Sequence, residues 1–168
     1  MKKADVKLLT ILGLLIAVQI VLSRFCSVSA WNFKIGFSFV PVVIAAILYG
    51  AKAAAAVAGI GDFVGAILIP IGPYFPGFTF TAVLCGICFG LLLHRAQTLG
   101  KILAAVAVTQ LAGSLLLNSL WISLLYGTPY AVLLGTRVVQ CAVVAPVQLF
   151  TIALLAKLLA QYQRRLVA

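Results

Sequence analysis

Residues 53–93 read AAAAVAGIGDFVGAILIPIGPYFPGFTFTAVLCGICFGLLL. Two apolar runs, 53–69 and 78–93, flank a block that holds Pro70, Pro73 and Pro76 together with Gly72 and Gly77. Proline lacks a backbone donor and clashes with the preceding turn, so this block breaks any helix that enters it. Each run approaches the roughly 20 apolar residues that cross the hydrocarbon core of a bilayer. Open strand edges find no water to bond in lipid, and no alternating pattern of roughly ten residues marks a barrel strand. The stretch predicts two membrane helices joined by a stiff, aromatic loop.

The same pattern extends in both directions. An apolar run over 6–22 ends at Ser23-Arg24, and a short one over 37–49 is separated from the 53–69 run by Gly50-Ala51-Lys52. Beyond His94-Arg95-Ala96-Gln97, a fifth run starts near Ile102 and ends at Tyr126-Gly127-Thr128-Pro129, and a sixth covers about 131–159. The expected fold is therefore all-α: one domain over residues 1–168, a polytopic membrane protein with six transmembrane helices. Composition agrees, with 65% apolar residues and 8% charged ones, against roughly a quarter charged in soluble domains. A soluble enzyme, a disordered tail and a multidomain machine are excluded. Met1-Lys2-Lys3 stands close to an ordinary span, and no soluble domain follows a cleavage site, so the first helix is expected to stay in the protein.

A net charge of +10 suggests nucleic acid in a soluble protein, but in a membrane chain it reports topology. With the N-terminus cytoplasmic, an even number of helices returns the C-terminus to the same side. Lys2, Lys3, Lys7, Lys52, Arg95, Lys101, Lys157, Arg164 and Arg165 then all fall inside, as the positive-inside rule requires. Arg24, Lys34 and Arg137 do not. They sit at or near the outer ends of helices one, two and six, and need another reason to be there.

Aromatic and hydrogen-bonding residues collect on that outer side: Phe37 and Phe39, Phe78 and Thr79, Asn118, Trp121 and Tyr126, then Gln140 after Arg137. Asn118 and Trp121 are three apart, as are Arg137 and Gln140, so each pair shares a helix face. Flat rings supply stacking area and arginine grips a carboxylate through two parallel bonds, which suits a ligand planar at one end and anionic at the other. A membrane-boundary aromatic belt explains single rings equally well, and Arg24 or Lys34 could reach headgroups or water. Arg137 is different, because a polar pair inside an apolar helix faces a bundle interior or a cavity.

Asp62, one of two acids in the chain, lies in the third helix among Gly59, Gly61 and Gly65. An isolated carboxylate there is costly, so Arg24 or Arg137 is expected beside it, as a structural ion pair or as part of a ligand site. No phosphate-cradling Gly-x-x-x-x-Gly-Lys motif occurs. Two acids and one histidine make neither a carboxylate dyad nor a metal cluster, so no catalytic set, metal or cofactor is expected. Cys85 and Cys88 read as small packing residues. Gly61 with Gly65 and Gly86 with Gly90, each four apart, suit close helix packing inside the bundle, whereas Gly13 and Ala17 on the first helix suit either packing or another protein.

The strings Ser23-Arg24-Phe25, Lys34-Ile35-Gly36-Phe37-Ser38-Phe39-Val40-Pro41, Gly61-Asp62 and Pro70-Ile71-Gly72-Pro73-Tyr74-Phe75-Pro76-Gly77-Phe78-Thr79 are followed by Leu117-Asn118-Ser119-Leu120-Trp121, Leu125-Tyr126-Gly127, Arg137 and Pro146-Val147-Gln148. Together they resemble the folate-family S components of energy-coupling-factor (ECF) transporters, over nearly the whole chain and in order. Ser119 stands where that pattern has Thr. The resemblance implies a multi-pass subunit of a prokaryotic cell membrane that binds folate or reduced folates on the outer face. It also implies a transmembrane coupling subunit and two ATPases as partners, met through small residues on helix one, here Gly13 and Ala17 in place of Ala-x-x-x-Ala. On that footing Phe37, Phe39, Phe78 and Trp121 stack the rings, Asn118 and Gln140 read the pterin edge, and Arg24, Lys34 and Arg137 hold the glutamate, with Thr79 and Tyr126 beside them. An S component for another vitamin or pterin-like solute, or a self-contained facilitator, are the alternatives.

Overall fold

A computed structural model describes residues 3–30, 33–70 and 72–167, with side chains described for 6–27, 36–70 and 72–159. Helix α1 is Lys3–Arg24, α2 Phe39–Tyr49, α3 Ala51–Leu68 and α4 Pro76–Leu93. Helix α5, Leu99–Val108, continues through a π-helical stretch, Thr109–Leu117, into α6, Asn118–Tyr126, so that these three form one rod. Helix α7, Tyr130–Val167, carries Pro146 inside it. Among the described residues six helical rods result, in the nearly all-helical arrangement the apolar runs predict, and five of them are long and apolar enough to cross a membrane.

The exception is α2. Its 11 residues span about 16 Å at 1.5 Å per residue, roughly half of a 30 Å hydrocarbon core. Gly50, at φ 82°, turns the chain from α2 directly into α3, a conformation only glycine adopts without strain. Pro76 opens α4 in its first turn, where a missing N–H costs nothing.

The first outer loop is more ordered than the sequence suggests. Ser27–Ala30 (β1) and Phe33–Gly36 (β2) pair antiparallel, with Ser27 opposite Gly36 and Ala30 opposite Phe33. Four-residue strands are too short to announce themselves by periodicity.

The apolar core occupies one half of the bundle, the half that carries Lys52, Arg95, Lys101 and Lys157. Val42, Val43, Ala45, Ala46 and Ile47 of α2 pack with Ala54, Val57 and Ala58 of α3, Phe89 and Leu93 of α4, Ile102, Ala105 and Val106 of α5, and Ile152 and Ala156 of α7. Small residues make the contact close. A Cβ on Gly86 would stand 2.7 Å from the Ala54 carbonyl oxygen, and one on Gly90 would collide with the Ala51 backbone. Gly61 and Gly65 are likewise covered, by Gln19 and Arg24 of α1. The internal packing expected of these two pairs is therefore present. Gly86→Val should lower stability by about 2 kcal/mol, the usual order of overpacking costs, and so lower the unfolding midpoint in detergent. Gly100→Ala, where a Cβ meets nothing within 4 Å, should leave the midpoint in place.

Candidate functional site

Above the N-terminal end of α2, where that short helix leaves half the membrane depth unfilled, the bundle is hollow. The cavity measures about 480 Å³, within the range of small-molecule pockets. Gly36, Ser38 and Phe39 close it beside the hairpin, Gly72 to Phe75 come from the proline loop, and Phe78, Thr81, Ala82, Cys85 and Phe89 descend along α4. Thr109, Gln110, Gly113, Ser114, Asn118, Ile122, Leu125 and Tyr126 line it from the fifth rod. Helix α7 adds Arg137, Gln140, Val144 and Gln148, while Arg24 and Asp62 enter from α1 and α3.

Two of the three outer cations thus meet in one chamber. Arg137 is buried, and its Nη1 donates to the Ser114 carbonyl of the π-helical stretch at 3.4 Å. Its Nε is buried without a hydrogen-bond partner among the described residues. Arg24 crosses α3 at Gly65, three residues beyond Asp62 on the same helix. Asp62 accepts a hydrogen bond from Thr79 at 2.9 Å. Lys34 lies on β2 opposite Ser29; its side chain falls outside the described residues, as does Trp31.

Of the other residues singled out in the sequence, Phe39, Phe78, Asn118, Tyr126 and Gln140 line the cavity and Phe37, Thr79 and Trp121 do not. Phe37 is exposed, its ring 6.3 Å from that of Phe39. Trp121 stands behind the wall. Its Nε1 donates to Thr81 Oγ1 at 2.9 Å, and its ring lies 5.6 Å from that of Phe75. Gly77 permits this, since a Cβ there would come within 2.6 Å of both rings. Tyr126 approaches Gly72 of the proline loop with its hydroxyl.

The floor is polar and was not singled out by charge or aromatic pattern. Gln110 Nε2 donates to Gln148 Oε1 at 2.6 Å, and Cys141 Sγ approaches the Gln110 carbonyl at 3.7 Å. Both amides interrupt long apolar runs, and the rule that brings Arg137 inward applies equally to them. Cys85 also belongs to the wall, resting on Gly113, where a Cβ would stand 2.7 Å from its sulfur.

Gly13 and Ala17 lie far from this chamber on the exposed flank of α1, and a Cβ on Gly13 would meet nothing within 4 Å.

Comparisons with known proteins agree with this architecture. A family model for the ECF transporter substrate-specific component matches residues 7–156. The folate transporter FolT of Clostridium novyi (strain NT) is 31% identical over 153 residues, covering 90% of this chain and 88% of that protein. FolT of Leuconostoc mesenteroides subsp. mesenteroides is 29% identical over 153 residues, covering 87% and 82%. A crystal structure of FolT bound with folic acid superposes with a TM-score of 0.84 at 30% identity, covering 89% of this chain and 92% of that one. Since the family match runs from the first helix into the last, over a bundle hollowed on one side and packed on the other, the chain belongs to the family of ECF transporter substrate-specific components.

Proposed function

We propose that this multi-pass membrane protein is the folate-binding S component of an ECF-type importer. It captures folate on the outer face of a prokaryotic cell membrane and delivers it inward with a coupling subunit and two ATPases. The observation that carries the reading is the chamber, which combines two arginines, four side-chain amides and several aromatic rings in about 480 Å³. Folate has a planar pterin, an aminobenzoyl ring and a glutamate with two carboxylates. The likeness to a FolT bound with folic acid supports the same ligand.

The chamber's own gradient suggests how the ligand lies. Gln110 and Gln148, with Gln140 and Asn118 above them, offer both donors and acceptors, as a pterin edge requires. Phe39, Tyr74, Phe75 and Phe78 offer faces and edges for the rings. Arg24, at the outer end of α1, holds the glutamate together with Arg137 and Lys34, and the N-terminal end of α2 adds partial positive charge. Thr79 and Trp121 act from behind the wall, through Asp62 and Phe75 respectively, while Phe37 flanks the mouth.

Purified protein should bind folic acid with one site per chain, and riboflavin should not compete; saturable riboflavin binding without folic acid binding overturns the assignment. Arg137→Ala, in protein that remains folded, should weaken folic acid binding by more than tenfold, equivalent to about 1.4 kcal/mol. An unchanged dissociation constant removes Arg137 from the site.

The absence of a phosphate cradle in the sequence makes uptake depend on partners. Vesicles holding this chain alone should bind folic acid without accumulating it, whereas accumulation without ATP and partners marks a facilitator. The exposed small-residue flank of α1 is the coupling face in this reading. Gly13→Leu or Ala17→Leu should leave the folic acid dissociation constant unchanged and impair assembly with the coupling subunit, read by co-purification.

A further inference from the structure

Asp62 is the only acidic group among the described side chains, and it lines the chamber that holds Arg24 and Arg137. A fixed carboxylate is out of place in a site for anions unless it does something there. Its Oδ2 accepts from Thr79 Oγ1 at 2.9 Å, and the Tyr74 hydroxyl lies 3.3 Å from the same Thr79 oxygen. A threonine hydroxyl has one hydrogen. Because Thr79 gives that hydrogen to Asp62, Tyr74 is the donor in the other pair. The chain Tyr74 to Thr79 to Asp62 points every proton toward the carboxylate and pins it to the wall.

Arg24 crosses α3 three residues further along, with Nε 3.3 Å and Nη2 3.5 Å from the place a Gly65 Cβ would take. The buried Nε has no hydrogen-bond partner among the described residues. Arg24 therefore stands over the same face of α3 as Asp62, three residues away, while part of its donor set stays uncommitted. That is the state of a guanidinium waiting for another carboxylate. A plain structural ion pair would instead commit the planar fork to its partner through two bonds.

We infer that Asp62 is a resident competitor for the ligand's acid group: it neutralises Arg24 in the empty chamber and yields it to a ligand carboxylate. Capture is then an exchange of carboxylates on one cation. An arginine left without a counter-ion among apolar helices is costly, so Asp62 lowers the empty state more than the loaded one. Affinity is reduced and release is eased. The inference rests on the folate reading for its ligand.

The test compares wild type, Asp62→Asn, Arg24→Ala and the double variant as purified full chains, with folic acid as the probe. Asp62→Asn should lower the dissociation constant at least fivefold, chiefly by slowing dissociation. Adding Asp62→Asn to Arg24→Ala should change it less than twofold. Weaker or unchanged binding in Asp62→Asn overturns the competitor role. An equal gain in both backgrounds also overturns it, since Asp62 would then be repelling the ligand directly. If the single Asp62 variant does not fold, the Arg24→Ala pair decides: a shift below twofold supports the exchange and one above fivefold rejects it. A wild-type chain that ignores folic acid defeats the functional reading itself. Wild-type binding with the wrong Asp62 response defeats only this inference.

Discussion

A guanidinium buried among apolar helices has to be met by something, and Arg137 imposes that demand on the whole outer half of the bundle. It is 7% exposed and reaches a backbone carbonyl at 3.4 Å, near the limit of a useful hydrogen bond. Filling the space around it with leucine and valine would leave the charge unmet, at a cost well above what their burial returns. The helices near it accordingly present amides, hydroxyls and carbonyls. The π-helical stretch Thr109–Leu117 fits this demand, because Gln110, Gly113 and Ser114 all reach the cavity from within it. Single π turns inside α-helices recur at functional sites for this reason: they move a side chain or carbonyl out of the regular register.

The hollow exists because its other half is so tightly closed. Helix α2 fills only half the membrane depth, and its buried face packs with alanine and valine of α3 and with Phe89 and Leu93 of α4. Without bulky side chains between them, α3 and α4 approach to backbone contact at Gly86 and Gly90. That end is rigid and apolar. Beyond the start of α2 the helices have no central partner, and the hairpin and proline loop cover the gap. A short helix, a glycine corner and a proline-rich connection therefore set the position of the chamber before any ligand contact is considered.

Much of this is legible in the sequence. Apolar runs of near-membrane length leave little choice of element, and their Pro, Gly and basic punctuation places the ends. Arg24 and Arg137 stand out as cations on the outer side, Asp62 as a carboxylate inside an apolar helix, and Asn118 and Gln140 by sharing a helix face with Trp121 and Arg137. Gln110 and Gln148 obey the same rule, but as neutral amides they carry no charge anomaly to single them out. Aromatics are harder. Phe39 and Phe78 reach the cavity, whereas Phe37 and Trp121 face elsewhere, and spacing on one helix says nothing about which neighbour covers it. Tyr74 and Phe75 arrive on a loop whose path no periodicity describes. The hairpin escapes for lack of length, and the π-helical stretch because its composition matches that of an ordinary helix.

Helix α1 ties the two faces of the protein together. Its inward side is polar: Gln19 donates from Nε2 to the Ala58 carbonyl at 3.3 Å and lies over Gly61, and Arg24 lies over Gly65. Those two contacts fix the rotation of α1 against α3. Residues 13, 17, 20 and 24 follow one strip of a 3.6-residue helix, so the rotation that carries Arg24 to the chamber also sets where Gly13 and Ala17 point. Gly13 and Ala17 are exposed and bare. A helix rolled to bury them would withdraw Gln19 from the Ala58 carbonyl. The charged mouth of the chamber and the smooth flank of α1 are thus one geometric choice, made by two polar side chains that glycine gives room to lie flat.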